Sequence, residues 1–146
     1  MGRAWCRAGA VVMLSVVLAL AGAAPAFAGT AYSSWSYFTC GSYGYKNQAT
    51  VTTDAYDARA STWLWSNPIA IRPAGWYGAL ARLYNDSGVL VKQAGYYYSS
   101  SEGNGVGIKT AGYTVHGSYY SYGITKSWTG SDYHGHATWT SPRQTY

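Results

Sequence analysis

An antiparallel two-sheet β-sandwich is the fold class that the sequence predicts, with an immunoglobulin-like topology preferred and a jelly roll or small barrel as alternatives. Three observations lead there. Short runs rich in β-branched and aromatic residues alternate with Gly, Pro, Asn and Ser turn signals. Only residues 53–60 have helical character. Residues 76–98 read as two strands joined by Asn85-Asp-Ser-Gly88. Seven to nine short strands at this spacing suit two facing sheets.

Residues 1–28 open with Arg3 and Arg7, continue through an apolar run from Val11 to Leu20, and end at Ala26-Phe-Ala28. A basic start, a short apolar stretch and a small-x-small site form the pattern of a secretory signal. The run is too short to span a membrane, and no cysteine follows it to carry a lipid. The expected mature chain is a single secreted domain, 29–146, without a membrane span. Such a chain buries roughly two-thirds of its unfolded surface, enough for one core. Without Arg3 and Arg7, eight Lys and Arg face five Asp and Glu, a net of +3. The basic residues are scattered singly, which argues against nucleic-acid binding. Cys6 leaves with the signal, and Cys40 is expected as a lone buried thiol. The protein is then expected to be a monomer unless Cys40 is exposed.

Along the mature chain, residues 29–34 are small and polar and read as a loose leader. Residues 35–39 form a candidate first strand, followed by a Gly/Ser/Tyr turn through Gly44. Residues 49–53 are β-branched and alternating, a second strand. At 53–60, Thr53 or Asp54 is placed to cap one or two helical turns. Residues 61–66 return to strand, Asn67-Pro68 breaks it, 69–71 is a short edge piece, and Pro73-Ala-Gly75 turns into the central hairpin.

In that hairpin Gly88 is free to take a positive φ, which favours a type I turn closed by a glycine bulge. The register then sets Asn85 opposite Val89, Leu83 opposite Val91, Ala81 opposite Gln93 and Tyr77 opposite Tyr97. One face holds Tyr77, Ala79, Ala81, Leu83, Val89, Val91 and Tyr97, apolar apart from Gln93. The other sets Arg82 beside Lys92 among Trp76, Leu80, Tyr84, Leu90, Tyr96 and Tyr98. A four-residue loop would slip the register by one and divide the two charges between the faces.

Residues 99–107 are a flexible loop by composition. Their Gly103-x-Gly105-x-Gly107 is no phosphate cradle, because 106–110 looks extended and no helix follows. In 118–128, Tyr120, Tyr122, Ile124 and Trp128 share one side, and Ser121, Gly123, Thr125 and Ser127 the other. Thr129-Gly-Ser-Asp132 turns the chain into a return strand with Tyr133, Ala137 and Trp139 on one face and His134, His136 and Thr138 on the other.

Asp132-x-His134-x-His136 is the sharpest chemical constellation. Alternate strand residues lie about 6.6 Å apart, close enough for two imidazoles to share a metal, with His116 as a third donor. Without a fixed third ligand this is the weaker alternative, and no metal or cofactor is expected. Nor is an enzyme: the chain has no Gly-x-Ser-x-Gly and no His-Glu-x-x-His. Asp54 and Asp57 could share a helical face as an acid/base pair, but such a pair is commonly a solvated helix start. Turn chemistry accounts for Asn85-Asp-Ser87, which also matches a glycosylation sequon.

Ala81-Arg-Leu-Tyr-Asn-Asp-Ser-Gly-Val-Leu90, Tyr119-Tyr-Ser-Tyr-Gly-Ile-Thr-Lys126 and Ser141-Pro-Arg143 give the mature chain its character. It resembles the small Tyr/Gly-rich secreted proteins of high-GC Gram-positive, actinobacterial-type bacteria. The resemblance implies export and carries over no catalytic or binding residue.

The mature chain holds 23 aromatic residues and 13 Val, Leu and Ile, by count along the sequence. A sandwich of this length has on the order of 30 inward positions, so several aromatics must lie outside. The expected role is a secreted, non-enzymatic binding module for an extracellular glycan, a cell-wall component or a secreted or cell-surface protein. The alternative is an adaptor or toxic subunit of a secreted antagonistic system, with a metal-dependent enzyme third. The expected recognition surface is Trp76, Arg82, Tyr84, Lys92, Tyr96 and Tyr98.

Overall fold

The computed structural model describes residues 28–146, so the proposed signal, apart from Ala28, lies outside the described residues. Strands β1 (Gly29–Tyr32), β2 (Ser36–Cys40), β3 (Tyr43–Thr53), β4 (Ala58–Ser66) and β9 (Gly105–Lys109) form one antiparallel layer. The other strands are β5 (Tyr77–Leu80), β6 (Arg82–Asn85), β7 (Leu90–Gln93), β8 (Tyr97–Tyr98), β10 (Ser118–Ser121), β11 (Ile124–Trp128), β12 (Tyr133–Ala137) and β13 (Gln144–Thr145). They form two four-stranded sheets, β13-β10-β6-β7 and β12-β11-β5-β8.

These two sheets are halves of one layer. Tyr77 pairs with Ser127, Leu80 with Ile124, Leu83 with Ser121 and Asn85 with Tyr119, a single register running through both. The ladder is interrupted at Ala81 and Gly123, although Tyr122 N–H still donates to the Arg82 carbonyl at 3.2 Å. The chain therefore runs β3-β4 in the first layer, crosses to the β5-β6 and β7-β8 hairpin, and returns to β9 beside β4. It then crosses again to β10-β11 and β12-β13. That is an immunoglobulin-like sandwich, and neither layer closes into a barrel.

The expected leader is a strand. β1 pairs with one half of the edge of β3 and β2 with the other half. Ser33 joins them: its N–H donates to the Ala49 carbonyl, and its hydroxyl accepts from Ala49 N–H at 3.0 Å. Small polar residues suffice here because the backbone does the pairing. No helix occurs among the described residues. The capping chemistry foreseen at Asp54 closes a hairpin instead, with Oδ1 accepting from Tyr56 N–H at 2.7 Å and Asp57 N–H at 3.1 Å. Those two donors, with Arg59 adding to them, hold the Asp54 carboxyl below its usual value. Residues 69–71 form no strand; the nearest bridge joins Arg72 to Gly103.

In the central hairpin the turn forms as expected. Gly88 has φ +79°, its N–H donates to the Asn85 carbonyl at 3.0 Å, and Asn85 N–H donates to the Val89 carbonyl at 3.0 Å. Tyr84 then pairs with Leu90, but Leu83 pairs with Lys92, because Val91 is an extra residue in the ladder. The shift sets Arg82 opposite Gln93 and moves Lys92 to the side of Leu83. Val89 and Tyr97, expected inside, are exposed on the edge path of the layer.

The core has two apolar clusters. One holds Val51, Ala60, Leu83, Tyr119 and Tyr146, the other Cys40, Tyr45, Leu64, Tyr77 and Val106. Cys40 is buried, as its sequence context suggested. In 118–128 the side holding Ser121, Thr125 and Ser127 faces inward, with Tyr119, and those three are fully buried, while Tyr120 and Tyr122 lean outward.

Candidate functional site

The foreseen surface lies on the outside of the second layer, and most of it is present there. Tyr96 stacks on Tyr98 with centroids 6.1 Å apart, Tyr98 packs on Tyr133 at 5.1 Å, and Lys126 Nζ lies 4.5 Å from the Tyr96 ring. Tyr84 stacks on Tyr120 at 5.3 Å. Trp76 meets Tyr43 edge-on near Arg72, towards the end of the sandwich. One feature departs from expectation. Arg82 and Lys92 do not face each other: Arg82 Nε donates to Gln93 Oε1 at 2.8 Å, and Lys92 Nζ lies 5.9 Å from the Tyr113 ring. A directly opposed like-charge pair is unfavourable, and the bulge at Val91 removes it. The two cations therefore do not form a joint site on this face.

The histidines are on one side of β12, paired with Ser127 and Thr125. His136 stacks on Phe38 at 3.7 Å, and partial burial, with His134 adding to it, pulls its imidazole below the ordinary value. Asp132 sits in the turn, where its Oδ1 accepts from Tyr133 N–H, and His116 stacks on Tyr146 at the far end of the second layer. Among the described residues no group of three His, Cys, Asp or Glu is placed to hold a metal. Asp54 and Asp57 do not form an acid/base pair on a helix; both are tied to Arg59.

The most developed surface lies on the opposite side of the molecule. Outward positions of β4 place Trp63 and Trp65 two residues apart, and their rings lie parallel within 9°, centroids 5.4 Å apart. Trp35, between β1 and β2, meets Trp65 edge-on at 5.3 Å, giving a continuous line of three indoles. The cross-strand partners of Trp63 and Trp65 are Gly107 and Gly105 of β9. A Cβ at Gly107 would lie 2.1 Å from Trp63 Cε3, and one at Gly105 would lie 2.5 Å from Trp65 Cδ1. The glycines discounted as a phosphate loop are thus the floor on which two indoles rest.

Two depressions meet at Trp65. One, of about 300 Å³, runs over Tyr32, Gln48, Thr50, Trp63 and Lys109; the other, of about 270 Å³, lies between Trp35, Lys46, Ile69 and Asn104. Lys46 Nζ sits 4.8 Å from the Trp35 ring, and Trp63 is 37% exposed. Together they form a groove with an aromatic floor, bordered by amide and hydroxyl groups. Sequence reading passed over these residues. The available signal was Trp63-x-Trp65 facing Gly105-x-Gly107, which becomes visible only once β4 and β9 are known to pair. The chain matches no family model, no curated protein and no solved structure.

Proposed function

We propose that the protein is a secreted, non-enzymatic module that binds a glycan along the three-indole groove. The carrying observation is the Trp35–Trp65–Trp63 line, continuous in van der Waals contact and open to solvent. Indoles are costly to leave exposed, and an exposed aromatic patch rimmed by polar side chains marks a binding site. Sugar rings offer apolar C–H faces to stack on indole and hydroxyls for Gln48, Thr50 and Asn104 to meet. The test is affinity electrophoresis and pull-down against a panel of soluble and insoluble polysaccharides. Trp63→Ala and Trp65→Ala should each weaken binding by about 2 kcal/mol or more, as aromatic anchors do. Trp139→Ala, an exposed indole away from the groove, should not. Absence of binding to any polysaccharide would sink the reading.

A second reading, an adaptor or toxic subunit that engages an extracellular protein, rests on the tyrosine-covered outer face of the second layer. Tyr and Arg are the residue types that anchor protein interfaces. There, however, two of the cations are already engaged, Arg82 with Gln93 and Arg143 with Asp86. Capture of a protein from culture medium that is lost in Tyr84→Ala and Tyr96→Ala, but kept in Trp63→Ala, would favour it.

A further inference from the structure

We propose that the glycan taken by the groove is acidic, a chain bearing carboxylates on its sugar rings. The inference rests on the glycan-binding reading and narrows its ligand. Lys46 borders the depression at Trp35, and Lys109 borders the one at Trp63. No Asp or Glu lines either depression. Arg59, the third cation on this face of the first layer, is already paired with Asp54 and Asp57, and Asp86 is paired with Arg143. Among the described residues neither Lys46 nor Lys109 forms an ion pair.

Lys46 is the cross-strand partner of Trp65, and Lys109 that of Ser61. Strand rise and spacing then set their Cα atoms about 16 Å apart on opposite sides of β4. Trp63 and Trp65 lie between them, so positive charge flanks this pair of indoles on both sides. Contact with Trp35 already holds the Lys46 ammonium at the rim, leaving its solvent side to meet an anion. A carboxylate carried on a pyranose ring stands beside the ring that stacks, so one sugar residue satisfies both features. A polyol phosphate has charge without a ring and fits only half of the groove.

The experiment measures binding of the secreted full-length mature chain to three polymers: a polyuronate, the same polymer with its carboxyls reduced to alcohols, and a poly(glycerol phosphate). The polyuronate should bind about fivefold or more tightly than its reduced form at low salt, with the gap closing as salt rises. Lys46→Met and Lys109→Met should each bring polyuronate affinity down towards that of the reduced polymer. Equal binding of the two sugar polymers would overturn the inference and leave the glycan-binding reading standing. So would poly(glycerol phosphate) binding as tightly as the polyuronate. Failure of any sugar polymer to bind in a manner weakened by Trp63→Ala would overturn the reading itself.

Discussion

Three glycines in this molecule are defined by the ring that lies over each of them. Gly78 pairs with Tyr98, Gly105 with Trp65 and Gly107 with Trp63, and in each pair an added Cβ would meet the ring at 2.8 Å or less. A large side chain laid across a glycine in the next strand covers backbone that glycine leaves bare, and it fixes the ring's direction. The cost of filling that space depends on what must move. At Gly107 the obstacle is the far end of a half-exposed indole, so Gly107→Ala should change stability by less than about 1 kcal/mol. It should nevertheless displace Trp63 and weaken glycan binding almost as much as Trp63→Ala. At Gly44 a Cβ would sit 2.0 Å from the Asn67 carbonyl oxygen, which is backbone. Gly44→Ala should therefore destabilise by about 1–3 kcal/mol, the range for overpacking. Urea denaturation and polysaccharide binding measured on both variants separate the two effects. Equal losses of stability would remove the distinction.

At the scale of elements, local chemistry was legible and pairing between distant strands was not. The turn at Asn85-Asp-Ser-Gly88 is set by four residues and formed as read, as did the turn that pairs Trp128 with Tyr133. The bulge at Val91 lies just beyond the reach of turn chemistry, and it decides which face Lys92 takes. The groove depends on β9 meeting β4 some forty residues away in sequence, a partnership that composition does not encode. The alternation read in 118–128 is present, and which of its two sides turns inward is set by the facing layer, which buries the small polar one. β12 carries a testable consequence of its position at the edge of the layer. His136 has a lowered pKa in the fold, so below its ordinary value near 6.5 the unfolded chain binds protons more readily than the native one. The contribution of His136 to stability is then complete above about pH 6.5 and is lost as pH falls through the folded value. Thermal midpoints of the wild type should drop between neutral and mildly acidic pH, and those of His136→Gln should drop less. Parallel pH profiles would refute this role for His136.

For the molecule as a whole, the surplus of aromatic residues has a structural counterpart in a core that is polar at its waist. The two apolar clusters are separated where Gly123 comes against the Thr62 side chain and where Asn47 bonds to Thr125. The second layer is interrupted at this same level, between β5 and β6 and between β10 and β11. With Tyr and Trp spread over both outer faces, small hydroxyl residues remain to fill the space between layers; Thr125 is paired there, while Thr62 Oγ1 and Ser127 Oγ are buried without a partner. Asn47 Nδ2 donates to Thr125 Oγ1 at 2.8 Å, and Thr125 Oγ1 donates to the His136 carbonyl at 3.1 Å. This chain ties β3 to β11 and β12 across the sandwich. Thr125→Val keeps the shape but leaves the fully buried Asn47 amide only its longer bonds to the His136 and Ala137 carbonyls, at 3.4 and 3.3 Å, which should cost about 1 kcal/mol. Replacing both partners with apolar groups of similar size removes the weakened donor and the unpartnered Asn47 Oδ1 as well. Thr125→Val combined with Asn47→Leu should therefore be more stable than Thr125→Val alone, with a coupling of about 1 kcal/mol or more in a double-mutant cycle. Additive losses in urea denaturation would mean that the two side chains act independently, and that the layers are held in register by their apolar clusters alone.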